Sequence, residues 1–218
     1  MMEKYQNKYR IKSHRMPNWD YSNNGMYYIT LVTQNRKCNL GEIMNNKMIL
    51  SDFGKIIETE WLKSFKIRDE LFCDEYIIMP NHLHAIVVLE KPILDSDDFV
   101  DGFVDGFGNG FGNGRYARPC VSTANQSNPQ KQPKLIREPK SISSFIGGYK
   151  SVINSKIDDY IDENKLNIPK YNRNNHFFQP NYHDRIIRNT GEYERIKNYI
   201  INNPLNWNND KLENQRNQ

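Results

Sequence analysis

The sequence predicts an α+β protein: a ferredoxin-like split β-α-β sandwich, its antiparallel sheet carrying helices on one face, with one further helix near the C-terminal end. Three observations carry this expectation. Four runs with strand character alternate with three stretches of helical spacing in the order β-α-β-β-α-β-α. Pro80 and Asn81 form a two-residue turn between the second and third strand runs. The 218 residues, 37% of them hydrophobic, suffice for one domain of ordinary size with a surplus, and are too few for two.

The elements follow in order. Tyr27 to Thr33 (YYITLVT) is β-branched and aromatic, as a strand requires. Ser51 to Phe65 places Ile56, Ile57, Trp61 and Phe65 at helical spacing behind a Ser51-Asp52 start. Cys73 to Met79 and His82 to Leu89 read as a hairpin. Ser141 to Ile161 reads as a helix through Phe145, Ile146, Tyr149, Ile153 and Ile157. Phe177 to Ile187 supplies a fourth strand, interrupted around Pro180 because proline cannot donate to a ladder. A last helix begins near Thr190, with Glu192 and Tyr193 in its first turn, and stops close to Asn203 before Pro204.

Between the third strand and the second helix lies a different kind of sequence. Phe99, Phe103, Phe107 and Phe111 recur every four residues, yet six of the 12 glycines fall between Gly102 and Gly114. Glycine costs about 1 kcal/mol per residue in a helix, so the period is not helical, and the polar, proline-marked stretch that follows has linker composition. Calcium solenoids need many longer repeats than this DGF and GNG pattern supplies. The expected organisation is a basic N-terminal arm (1–26), one domain made of 27–90 and 135–207, a flexible insert at 91–134 and a polar tail (208–218). Asp95, Asp97, Asp98, Asp101 and Asp105 balance Lys91, Arg115, Arg118, Lys131 and Lys134, so the net charge of +4 belongs to the rest of the chain. That mild excess permits a polyanionic partner without demanding one.

No run approaches the roughly 20 apolar residues of a membrane helix, and the first residues lack the apolar core of a secretory signal, so a cytoplasmic protein with no membrane partner is expected. Cys38, Cys73 and Cys120 are odd in number and far apart, which supports neither a disulfide framework nor a cysteine zinc site.

Two patterns carry chemistry. His82 and His84 stand two apart on a strand, so both imidazoles leave the same face and could serve one metal ion. Plain surface histidines share that spacing. His14, His176 and His183 have no such partner. On the last helix Tyr199 and Asn203 lie one turn apart, a phenol beside an amide, although most tyrosines at helical spacing simply pack.

Three stretches resemble the single-tyrosine HUH transposases, most closely the REP-associated tyrosine transposases related to insertion-sequence-200-like enzymes. They are YRIKSHRMPNWDYSNNGMYYITLVTQNRKCNLGEI, YIIMPNHLHAIVVL and FQPNYHDRIIRNTGEYERIKNYIINNPLNW, which span nearly all of the chain outside the insert. The MPNHLH run is the specific piece. Phe178 departs from the tryptophan of many relatives, a change expected to alter packing only, and the insert is a second departure.

The resemblance implies metal ligands at His82, His84 and Asn203, a nucleophile at Tyr199 and a divalent Mg2+ or Mn2+ cofactor. It implies DNA transposition: a metal-dependent endonuclease cleaves and rejoins single-stranded DNA beside hairpin repeats through a 5′-phosphotyrosine intermediate, in a prokaryotic cytoplasm at the nucleoid. An unperturbed tyrosine has a pKa of about 10, and no residue of the sequence declares itself as its proton acceptor. Lys8, Arg10, Lys12 and Arg15 in the arm, interleaved with aromatics, and Arg185 and Arg188 beside the fourth strand, have the composition of phosphate contacts. Monomer and homodimer are both open. The alternatives are a replication or mobilisation nickase of the same superfamily and a non-catalytic ferredoxin-like nucleic-acid-binding module, including one of RNA-recognition type.

Overall fold

The computed structural model describes residues 4–5, 8–9, 16, 19–91, 139–172 and 174–209. A short ribbon, β1 (Lys4–Tyr5) with β2 (Lys8–Tyr9), precedes β3 (Gly25–Val32). The hairpin β4 (Gly41–Met44) and β5 (Lys47–Leu50) leads into α1 (Asp52–Lys66). Then come β6 (Leu71–Met79), β7 (His82–Leu89), α2 (Ile142–Glu163), β8 (His183–Ile187) and α3 (Thr190–Ile201), with a closing 3₁₀ segment, Asn203–Asn209. Of the expected insert only Lys91 is among the described residues.

Strands β6, β7, β3 and β8 form one sheet in that spatial order, every neighbouring pair antiparallel. The first and second long strands therefore run parallel with the third between them, which is the split β-α-β arrangement expected. The two central strands are covered on both faces, and β7 accordingly reads as a nearly continuous apolar run broken only by its two histidines.

One face carries the main core. Tyr27, Ile29, Leu31, Leu83, Ala85, Val87 and Leu89 alternate along β3 and β7 and bury against Ile57 and Trp61 of α1 and Phe145, Tyr149 and Ile153 of α2. Trp61 packs edge-on to Tyr149 with ring centroids 5.1 Å apart, and the Tyr149 hydroxyl donates to the Ile57 carbonyl at 2.9 Å, tying the two helices together. Both helices start on serine caps. Ser51 accepts from the Gly54 amide, and Ser141 forms a reciprocal box with Ser144.

The other face is smaller. Met26, Ile86 and Ile187 bury against Tyr193, Ile196 and Ile200, so α3 lies across the sheet from α1 and α2. Its cap is Asn189, one residue before the expected Thr190, and accepts from the Glu192 amide.

Two further features differ from the sequence expectation. The hairpin β4–β5 is additional; Asn45 and Asn46, at φ 50° and 60°, make the two-residue turn with both central residues left-handed that matches hairpin twist. Gly41 opens it at φ 145°, where a Cβ would fall 2.1 Å from the Ile49 carbonyl oxygen. The fourth strand does not begin at Phe177. Phe178 makes one isolated bridge to Thr33, Pro180 breaks the ladder, and pairing resumes at His183. The Lys150 ammonium fills the gap by donating to the carbonyls of Gln179 and Pro180 at 2.6 and 3.2 Å. Phe178 itself is buried against Phe177 and Tyr149.

Candidate active site

Polar side chains collect on the α3 face of the sheet, at the end nearest the Pro80-Asn81 turn. That turn is held from two sides. The Thr33 amide and hydroxyl both donate to the Asn81 carbonyl, at 2.9 and 3.0 Å, and the Leu40 amide donates to the Pro80 carbonyl at 3.0 Å. His82 is the first residue beyond it, and alternation along β7 brings His84 to the same face with ring centroids 4.4 Å apart.

Both imidazoles are deeply buried, at 0% and 3% exposure, so their hydrogen bonds decide what they can do. Asn81 Nδ2 donates to the Arg36 carbonyl at 3.3 Å, which turns Oδ1 toward His82. His82 Nδ1 lies 2.7 Å from that oxygen and donates to it, leaving the lone pair on Nε2. His84 Nδ1 sits 2.8 Å from each of two hydroxyls, Thr30 Oγ1 and Tyr28 Oη, and the Tyr28 ring stacks on the imidazole. Burial, then His82, then His183 push the His84 pKa well below 6.5, so the ring stays neutral and keeps a lone pair.

Helix α3 brings the phenol. Tyr199 Oη lies 3.4 Å from His84 Nε2, with the two rings 5.3 Å apart. The tyrosine is half-exposed. Asn203 falls just past the end of α3, as the first residue of the 3₁₀ segment, because Asn202 caps the helix and Pro204 cannot continue it. It is buried, and its Oδ1 accepts no hydrogen bond from the described residues. A buried amide oxygen without a donor among the described residues suits a cation, and imidazole nitrogen and amide oxygen are donor types compatible with Mn2+, or with Mg2+ when further oxygens complete the shell. Among the described residues no group of three His, Cys, Asp or Glu side chains is placed to hold a metal ion.

Sequence reasoning missed several neighbours. Thr30 pairs with His84 on one side and with His183 on the other, so His183, set aside as solitary, shares the histidine face. Its alternation in YHDRII was visible; the register that places it opposite Thr30 was not. Trp207 lies 6.0 Å from His82 by ring centroids, brought back by the 3₁₀ segment. Cys73, by contrast, is inert: burial pushes its thiol up to about 12.

The expected DNA contacts divide. Lys8 lies in β2, and Arg10, Lys12 and Arg15 fall outside the described residues. Arg185 stands opposite Tyr28 on β8, on the histidine face, and its Nε donates to Glu192 Oε1. The Arg188 amide donates to the other oxygen of Glu192 at 3.1 Å.

No protein-family model matches the chain. An uncharacterized protein of Haemophilus influenzae is similar to it, 28% identical over 204 residues, a match spanning 92% of each chain. A solved structure of a REP-associated tyrosine transposase bound to a REP hairpin is similar at 16% identity and a TM-score of 0.48, over 90% of this chain and 74% of that one. A Deinococcus radiodurans chain described as a candidate transposase is similar at 12% identity and a TM-score of 0.35, over 86% of this chain and 95% of that one. None of the helices described is long and apolar enough to cross a membrane.

Proposed function

We propose that this chain is a metal-dependent transposase that nicks and rejoins single-stranded DNA beside hairpin sequences, with Tyr199 as nucleophile. The observation that carries the reading is the Tyr199 hydroxyl 3.4 Å from His84 Nε2, on the face that also bears His82. One chain supplies both the phenol and the imidazoles. The motif resemblance around His82, His84 and Tyr199 supports the same assignment.

His82 Nε2, His84 Nε2 and Asn203 Oδ1 are the atoms that would hold a divalent Mg2+ or Mn2+ ion. The chemistry such an ion supplies is polarisation of a scissile phosphate and neutralisation of its developing charge. Tyr199 Oη attacks phosphorus, the bond to the 3′ oxygen of the upstream strand breaks, and the phenolic proton ends on that oxygen. A 5′-phosphotyrosine bond replaces the phosphodiester, so a second 3′-hydroxyl can reverse the step without ATP. Asn81, Thr30 and Tyr28 orient the imidazoles, as outer partners of metal-binding histidines do.

The covered second face disfavours the RNA-recognition alternative. Such modules leave that face of the sheet open for bases to stack, whereas here Tyr193, Ile196 and Ile200 of α3 pack on it. The test is incubation with single-stranded hairpin DNA and Mn2+ or Mg2+, followed by denaturing electrophoresis. A denaturation-resistant adduct is expected from the wild type and lost in Tyr199→Phe and in the His82→Ala, His84→Ala double variant; an adduct that persists without metal would overturn the role given to the histidines.

A further inference from the structure

Along the outer edge of the sheet a groove of about 670 Å³ runs between Met16 and Tyr21 on one side and β8 with the first turns of α3 on the other. Arg185, Arg188 and Arg195 line it. Its chemistry is set by which charges face water. The Glu192 side chain is only 8% exposed, while those of Arg185 and Arg195 are 63% and 68% exposed. The groove therefore presents cations to solvent and turns this carboxylate inward. Asp184, also in its wall, lies against the Tyr21 hydroxyl.

Glu192 also fixes the cations it neutralises in part. It takes the Arg185 Nε–H on one oxygen and the Arg188 amide on the other, and Arg195 approaches the first oxygen at 3.9 Å. With Nε engaged, the Arg185 guanidinium is held in one orientation and its terminal nitrogens remain for an outside anion, a pre-organised fork of the kind that matches phosphate oxygens. Arg188 reaches across to Met16, its terminal nitrogen 3.2 Å from the sulfur, and closes one wall.

The groove is directed at the active site by helix geometry. Arg195 precedes Tyr199 by four residues, one turn and about 6 Å along α3, on a shared side of the helix. Arg185 stands in register with Tyr28, whose hydroxyl meets His84. A polyanionic strand contacting Arg195 in the groove would thus lie one helical turn from Tyr199.

We propose that this groove holds the backbone of the DNA single strand next to the scissile phosphate, with Arg185 and Arg195 each contacting one phosphate and Glu192 positioning Arg185. This inference rests on the transesterase reading above but concerns binding alone, so it is tested without cleavage.

The experiment measures binding of a fluorescein-labelled single-stranded DNA oligonucleotide by anisotropy across a salt series, in EDTA, with Tyr199→Phe as the parent protein. Each phosphate contact on a single strand contributes about 0.7 to the slope of log K against log salt. Adding Arg185→Gln and Arg195→Gln to that parent is expected to reduce the slope by about 1.4. Lys63→Gln with Lys156→Gln, exposed on α1 and α2, should leave the slope unchanged, and far-UV circular dichroism confirms that each variant is folded. An unchanged slope in the arginine variant overturns the groove assignment while leaving adduct formation by the wild type intact. Failure of the folded parent to bind the oligonucleotide at all overturns both.

Discussion

Thr30 Oγ1 and His84 Nδ1 lie 2.8 Å apart across two central strands, which anchors the imidazole from behind and aims its Nε2 at α3. Tyr28 Oη provides a second contact of the same length. Removing outer partners of this kind typically lowers metal affinity or activity 10- to 100-fold. Thr30→Val and Tyr28→Phe are each expected to weaken Mn2+ binding about 10-fold, measured by calorimetric titration, and the double variant to exceed either single. Equal values for the double and for one single would show that one hydroxyl suffices.

In the proposed metal site, Asn203 would set binding against stability. Its buried Oδ1 accepts nothing from the described residues, and an unsatisfied buried polar group costs about 1–3 kcal/mol. Asn203→Leu should raise the melting temperature of the metal-free protein while weakening Mn2+ binding. A lower melting temperature together with unchanged Mn2+ affinity would make Asn203 a structural residue.

Acid should destabilise the metal-free fold through His84. Its folded pKa is depressed by burial, then by His82 and His183, so the unfolded chain takes up the proton first. Stability is full above the unfolded value of about 6.5 and falls as the pH drops below it. Urea midpoints between pH 7.5 and 5 are expected to decline in the wild type and to decline less steeply in His84→Gln; parallel profiles would remove His84 as the cause.

Glu192 contributes in a lower window. Burial alone would raise its pKa, but the Arg188 amide, the Arg185 hydrogen bond and the charges of Arg185 and Arg195 outweigh it and hold the carboxyl below 4.5. Its stabilisation is present above that value and lost as the pH falls through the lower folded pKa. Glu192→Gln should therefore lower stability at neutral pH and flatten the acid limb of the profile below about pH 4.5, read by thermal melts.

Much of this was legible in the sequence because period and turn chemistry are local. The alternation in HLHAIVVL placed both histidines on one face, and Pro80-Asn81 fixed the hairpin. The helix carrying Tyr199 was readable from its first turn and from Pro204, with its cap one residue earlier than expected. What escaped depends on register between distant segments: His183 reaches the site only through the pairing of β8 with Thr30, and Trp207 only through the fold of the 3₁₀ segment. The β4–β5 hairpin was missed for another reason. Its Asn45-Asn46 turn is a known signal, but the strands are four residues each, and half of their residues are exposed.

The central claim, that Tyr199 is the nucleophile, is tested most directly by locating the covalent bond. After reaction with hairpin DNA and Mn2+, nuclease trimming and trypsin digestion, peptide 198–211, which contains Tyr199 as its single tyrosine, should carry a 5′-nucleotide mass. The same mass on a peptide containing Tyr182, or an unmodified 198–211 peptide from a protein that has formed the adduct, would contradict it.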